Sequence, residues 1–331
     1  MSYVIKRENL LIGDILLIKT NDRTCEKIRE YSKSNFSHAL IYWGNSSCLE
    51  SNALGVASVN PQRLLFLNID DLCVLRLKDL SLLPKLEIGL INSSSKVGMG
   101  YSSRRELMKS YLETLEKAEE ENRQFCTRLV SQIYFESGID IVQNPDYCSP
   151  KDIENSELLE KVDDMLKEAS LQEIELAQEE NNILSIQTDA FFTIFEKIRE
   201  ISNVDIQTFD QIDDFLIQNP EFDEAFNTIV KDSKYFDLGN LEKEKNILMY
   251  NPETFLKYYG VEQCVQVSLS QIQGEKHRVI NFSLAIKKYT QLYDETKLQY
   301  FKSHIDCYIQ NLELSKERLF VWETIINKFC V

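Results

Sequence analysis

Apolar positions follow two rhythms along this chain, and the change from one to the other organises it. In the first part they form short runs rich in branched and aromatic residues, bounded by Gly, Asn, Ser and Pro, as strands are. Leu11-Ile12-Gly13-Asp14-Ile15-Leu16-Leu17-Ile18 reads as a strand bent at a Gly-Asp pair, with the Asp14 side chain holding the turn. Residues 21–34 carry Cys25, Ile28 and Arg29 at helical spacing and predict a short surface helix. Phe36–Trp43 and Ser47–Asn52 predict two strands around the turn Gly44-Asn45-Ser46. Gly55–Val59 and Leu72–Leu77 predict two more, with a short helix or turn at 61–65 between them, and Pro84–Ser95 is a helix or loop leading into Gly98–Ser103.

The period then lengthens. Arg104–Asn122 is dense in charge and predicts a helix with a solvated face, a candidate lid over Cys126. Leu129, Val130 and Ile133 stand three and four residues apart, the stripe of a helix packed on a core, with Gly138 as its stop. Asp152–Glu180 is acidic, and Leu158, Leu159, Val162, Met165 and Leu166 suggest a helix bridging to a second unit. From Ile183 the pattern is helical to the end, with aromatic stripes such as Phe191, Phe192, Ile194, Phe195 and Ile198 that read as core, and with Asn219-Pro220, Asn251-Pro252 and Gly260 as punctuation. The expected fold class is α+β: an antiparallel sheet packed on helices over residues 1–155, then an acidic, mostly α-helical domain over 156–331 that binds substrate or a partner.

Candidate chemistry begins at Cys126. It would sit in the first turn of the 125–135 helix, where unpaired N–H groups and the positive end of the macrodipole favour an anion. The chain has three histidines; His277 and His304 lie in later helical sequence, so His38 is the candidate base. A three-residue loop centred on Asn45 would set His38 across from Asn52 and Leu40 across from Glu50, placing His38, Glu50 and Asn52 on one face. A two-residue loop would turn Glu50 to the other face. A thiol, an imidazole and a third polar group to hold the ring make a nucleophilic triad of Cys126, His38 and Glu50, with Asn52 as the alternative orienting group and the backbone N–H of Cys126 as part of an oxyanion hole.

These residues resemble a family. Gly13-Asp14-Ile15-Leu16-Leu17, Phe36-Ser37-His38-Ala39, Leu49-Glu50-Ser51 and Phe125-Cys126-Thr127-Arg128-Leu129-Val130 are similar, in that order, to the motifs of the circularly permuted NlpC-type papain-like cysteine hydrolases, the YiiX-like group. Tyr134 fits the tyrosine that comes after the cysteine there, and Cys148-Ser149-Pro150-Lys151-Asp152-Ile153 resembles the group's Ser-Pro-x-Asp turn. The resemblance covers roughly residues 8–155; Thr127 stands where serine is commoner, and the charged insert before Cys126 matches no motif. The resemblance implies a permuted papain-like domain and an amide hydrolase, a peptidase or amidase, with cell-wall peptides as the best-known substrates. Such substrates would require export by a dedicated secretion route, as for a toxin or effector. The permuted branch also resembles the lecithin:retinol acyltransferase group, which makes a lipid acyltransferase or thioesterase the alternative. A third reading is a non-catalytic scaffold whose helical half binds a protein partner.

Composition narrows this a little. A formal net charge of -16 argues against a nucleic-acid surface. The eight cysteines contain no Cys-x-x-Cys pair, which points to free thiols and away from zinc ribbons. No cofactor or metal is expected, and Gly98 and Gly100 lack the remaining residues of a phosphate loop. Charges interrupt the first residues, so neither a signal peptide nor a transmembrane segment is expected, and the location expected is cytoplasmic unless the chain is exported.

Overall fold

A computed structural model of the chain describes residues 1–20, 23–44, 46–111, 116–120, 122–179 and 182–330, with backbone alone at 23 and 24. In chain order its elements are β1 (Tyr3–Ile5), β2 (Ile15–Ile18), α1 (Arg23–Ser32), β3 (His38–Gly44), β4 (Ser47–Asn52), β5 (Gly55–Val59), β6 (Leu72–Leu77), α2 (Leu83–Asn92), β7 (Gly100–Tyr101), α3 (Arg104–Lys109), β8 (Arg123–Gln124) and α4 (Cys126–Glu136). Then come α5 (Pro150–Glu154), β9 (Leu159–Val162), β10 (Leu166–Glu168), α6 (Leu171–Gln178), α7 (Ile183–Ser202), α8 (Phe209–Gln218), α9 (Asp223–Asp232), α10 (Leu238–Lys245), α11 (Pro252–Thr296) and α12 (Gln299–Phe329). The protein is α+β, and contacts divide it into a unit of residues 1–184 with 207–209 and a helical unit of 185–206 with 210–331.

In the first unit a six-stranded antiparallel sheet runs in the order β5-β4-β3-β2-β6-β9. Alternation along the strands fills both faces. Ile15, Leu17, Ala39, Ile41, Leu49 and Leu75 face a core closed by Leu86 and Leu90 of α2 and by Leu129, Val130 and Ile133 of α4. Leu16, Ile18, Leu40, Cys48 and Val74 face a second core with Leu10, Phe66 and Met165.

Two expected helices are interrupted or shorter than the pattern predicts. Residues 156–170 hold strands: β9 pairs with β6 and β10 with β1. Apolar residues at 159, 162 and 166 meet open strand edges formed far upstream, and that pairing overrides the helical spacing. The first unit therefore runs to residue 184 rather than ending at 155. In the charged insert α3 ends at Lys109. The amine of Lys109 draws in Glu116 at 3.1 Å and Glu119, and Glu120 accepts from the Ser103 N–H at 2.8 Å, so these charges tie a folded loop instead of coating a helix. Residues 112–115 and 121 of that expected helix, like Asn45 of the expected turn, lie outside the described residues.

The second unit is helical, as its periodicity predicts. Asn251 caps α11 from its side chain, and the helix breaks at Gly260, where φ is +75°. Phe255, Cys264, Val321, Trp322 and Ile325 form an apolar cluster between α11 and α12. Among the described residues no helix is long and apolar enough to cross a membrane.

The Gly13-Asp14 bend behaves as its residue types dictate. Gly13 has φ +86°, and a Cβ there would lie 2.3 Å from Leu86 Cδ2. Asp14 accepts from the Leu11 N–H at 2.8 Å and takes both Nε and Nη2 of Arg76, at 2.8 and 2.7 Å. Gly13→Ala should cost about 2 kcal/mol or more, from backbone strain and a clash with a fully buried leucine; urea unfolding of the two proteins measures it.

Candidate active site

The hairpin of β3 and β4 decides which side chains can meet. Leu40 pairs with Glu50, Ile41 with Leu49 and Tyr42 with Cys48, after which a bulge shifts the register so that Gly44 meets Ser47. The bulge gives the pairing expected of the longer loop and keeps Glu50 on the His38 side. Glu50 Oε2 lies 2.7 Å from His38 Nε2. Asn52 donates from Nδ2 to Glu50 Oε1 at 3.0 Å, while its own Oδ1 accepts from the Leu54 N–H at 2.9 Å. Asn52 therefore orients the carboxylate, and the carboxylate, not Asn52, holds the ring.

Cys126 opens α4, and Phe125 before it gives no side-chain cap, so the first N–H groups leave the helix start uncovered by one. Several contacts fix that end. Ser51 Oγ and the Ser102 N–H both donate to Gln124 O, at 3.1 and 2.8 Å. Thr127 Oγ1 donates to Cys148 O at 2.6 Å, a bond serine could make as well. Arg128 is fully buried: it pairs with Glu106 at 2.7 Å, and its guanidinium stacks on Phe125 and Tyr147 with 4.5 and 4.9 Å to the ring centres. Tyr134 Oη donates to Gly13 O at 2.6 Å, tying the helix to the Gly-Asp bend. The Ser149-Pro150-x-Asp152 turn is a capping box with Pro at the first helical position of α5.

This scaffold brings the Cys126 side chain beside the His38 ring. Since Nε2 is committed to Glu50, Nδ1 is the nitrogen left to face the sulfur. Burial by itself lowers the basicity of the ring, but hydrogen bonds to Cys126 and Glu50, and electrostatic attraction to both, outweigh it and push the His38 pKa up from 6.5 to about 10. Glu50 shows the converse. Burial raises its pKa, and the His38 contact with the Asn52 bond more than reverses that, leaving it below its ordinary 4.5. Cys126 is 5% exposed, and His38 and Glu50 side chains 18% and 17%.

His38, Glu50 and Asn52 line a cleft of about 790 Å³. Its other walls mix apolar residues, Ile18, Ile28, Leu40, Leu64, Leu65 and Phe66, with polar ones such as Thr20, Ser37, Ser51 and Arg63, and include Tyr101. Tyr101 and Tyr111, which the sequence does not single out, both have their phenol pKa raised by burial and then by the neighbouring Cys126. His277 and His304 belong to α11 and α12 of the other unit. None of the eight cysteines is in a disulfide, and among the described residues no group of three or more His, Cys, Asp and Glu is placed to hold a metal ion.

No family model matches the chain, and no curated protein matches it. Five solved chains do. One is the metalloprotein yiiX from Escherichia coli O157:H7, 16% identical, with a TM-score of 0.34, the match covering 46% of this chain and 95% of that one.

The ion-pair geometry sets a pH window. A ring whose pKa rises on folding adds stability that is complete below about 6.5 and is lost as pH rises through about 10, and a carboxylate whose pKa falls adds stability complete above about 4.5. The loss caused by His38→Ala should thus be greatest between pH 4.5 and 6.5 and shrink towards pH 10.5, as read from urea midpoints across that range.

Proposed function

We propose that residues 8–155 form a permuted NlpC-type cysteine hydrolase of the YiiX-like group, in which Cys126 is the nucleophile, His38 the base and Glu50 the group that orients the base. The observation that carries this reading is the meeting of a thiol at a helix start with an imidazole whose far nitrogen is held 2.7 Å from a carboxylate. The proton shared by Cys126 and His38 rests on the ring, and the sulfur attacks a substrate carbonyl as the C=O electron pair moves onto oxygen. The Cys126 N–H donates to that oxygen. When the carbonyl reforms, the leaving group departs with the proton held by His38, leaving an acyl thioester. His38 then deprotonates a water, which releases the acid and regenerates the thiol. Glu50 keeps the ring turned towards the sulfur and stabilises it when charged.

The chemistry is the same for an amide, as the peptidase or amidase reading has it, or for an ester or thioester. The apolar run Leu64, Leu65, Phe66 and Leu67 along one wall of the cleft favours a second reading within the same mechanism, a lipid thioesterase or acyltransferase.

Reactivity separates these proposals from a scaffold. Burial raises the pKa of Cys48, Cys73, Cys148, Cys264 and Cys307, to about 11 for Cys73 and about 12 for Cys148 and Cys307. At pH 6.5 iodoacetamide should label Cys126 well ahead of those five, and His38→Ala should remove the lead; equal slow labelling of all six would favour the scaffold. With p-nitrophenyl esters, Cys126→Ala should abolish the acyl adduct seen by mass spectrometry, and Glu50→Gln should slow turnover by about 10²-fold or more. A rise in kcat/KM from acetate to octanoate would support the lipid reading, and preference for a dipeptide anilide the amide one.

A further inference from the structure

Besides the His38 ring, Lys19 and Arg63 bring positive charge to the cleft. Arg63 is engaged by its own chain, donating to Leu176 O and to Glu179, whose Oε2 lies 2.7 Å from Nη2. The Lys19 amine is 4.0 Å from Asp71 Oδ1, beyond hydrogen-bond reach, and among the described residues no hydrogen bond holds it. Asp71 uses its other oxygen to accept from the Asn68 N–H at 3.0 Å and from Asn68 Nδ2 at 3.2 Å. Next to Lys19, Ser37 Oγ accepts from the Thr20 N–H at 3.2 Å and from Arg29 Nη1 at 3.5 Å, and it lies 2.9 Å from Thr20 Oγ1. A hydroxyl has two lone pairs and one proton, so Ser37, with both lone pairs taken, gives its proton to Thr20 Oγ1. The Thr20 O–H then has no acceptor among the described residues and is left for the cleft that Thr20 lines. Arg29, bonded also to Thr20 O, sets a further positive charge behind the pair.

These donors stand on a definite side of the ring. Ile18 pairs with His38, so Lys19 and Thr20 continue past the end of β2, the strand on one side of β3, whereas Glu50 and Asn52 belong to β4 on the other. The chain that runs into Cys126 is fastened on the β4 side, where Ser51 Oγ donates to Gln124 O at 3.1 Å. When the acyl thioester forms, the acyl carbon stays with the sulfur and His38 hands its proton to the departing atom, so the departing group lies past the ring, towards β2. We propose that Lys19 Nζ and the Thr20 hydroxyl form an anion subsite for the leaving group, and that the acyl donor carries a carboxylate or phosphate a few atoms from the bond that breaks. The proposal rests on Cys126 being the nucleophile. In the step the S–C bond forms, the bond from the acyl carbon to the leaving atom breaks, and the pair left on that atom takes the proton from His38. The anion keeps its charge and its bonds to Lys19 and Thr20 throughout. Held alike before and during the reaction, it acts on kcat/KM through binding.

The test uses octanoyl thioesters that differ only past the sulfur: those of 3-mercaptopropionate, 2-mercaptoethyl phosphate, uncharged 2-mercaptoethanol and cationic thiocholine. The wild-type protein should show kcat/KM about tenfold or more higher for at least one anion than for mercaptoethanol, with thiocholine lowest. Which anion leads separates a carboxylate from a phosphate. Lys19→Met should bring the ratio of anionic to neutral kcat/KM to within about twofold of unity, and Thr20→Val should lower it about threefold. Lys19→Arg should keep most of the ratio, and Lys19→Glu should favour thiocholine. A wild-type ratio near unity overturns the subsite while the thiol reaction stands. So does a ratio that Lys19→Met leaves unchanged, the result expected if Lys19 only supports Asp71. If Cys126 takes an acyl group from none of the four thioesters and labels no faster than the buried thiols, the nucleophile itself is wrong and the subsite falls with it.

Discussion

The pairing of Leu40 with Glu50 is the constraint on which the site depends. Strand side chains alternate, so a slip of one residue between β3 and β4 would send Glu50 into the core under α4 and bring Leu49 beside His38. A bulge near Trp43 prevents the slip. The hairpin is buried on both faces by different cores, which penalises either wrong register by exposing or misplacing Leu49, Cys48, Ile41 and Leu40 together. The carboxylate therefore reaches the imidazole because apolar residues around it permit no other alignment. Asn52 then completes the arrangement by fixing the second carboxylate oxygen.

The other half of the site depends on how the start of α4 is held. A helix packed only by Leu129, Val130 and Ile133 could slide along the sheet, since apolar contact is non-directional. Polar bonds remove that freedom: Tyr134 to Gly13 at one end, Arg128 to Glu106 and Asp146 at the other, and Gln124 anchored on β4. A buried ion pair such as Arg128–Glu106 adds little net stability over an apolar replacement, but its geometry is directional, and breaking it would leave a charge stranded. It positions Cys126 more than it stabilises the fold.

Much of this was legible from residue types. The Gly-Asp bend, the strands from β2 to β6 and the helix beginning at Cys126 follow from local pattern, and His38 and Glu50 share a face under one of the two loop lengths that pattern allows. What local pattern missed depended on distant partners. Leu159, Val162 and Leu166 become strand residues only because β6 and β1 offer edges, and Lys109 ends a helix because acidic residues beyond it fold back. Nothing in the local pattern marks Arg128 for burial; Glu106, Phe125 and Tyr147 enclose it. Tyr101 carries no sequence signal, since a two-residue parallel pairing across an insert leaves no periodicity to read.

The cleft wall has a consequence for the order in which the molecule is made. Tyr3 exchanges two backbone bonds with Phe66, at 2.8 and 2.9 Å, and β10 covers the other edge of β1. A nascent chain has the ring, the carboxylate and the thiol once residue 126 has left the ribosome, but the strand that seals β1 against Phe66 comes only with Leu166–Glu168. Until then the apolar side of the cleft is propped from one edge alone. During synthesis the Cys126 thiol is thus present before the apolar wall of the cleft is held from both edges.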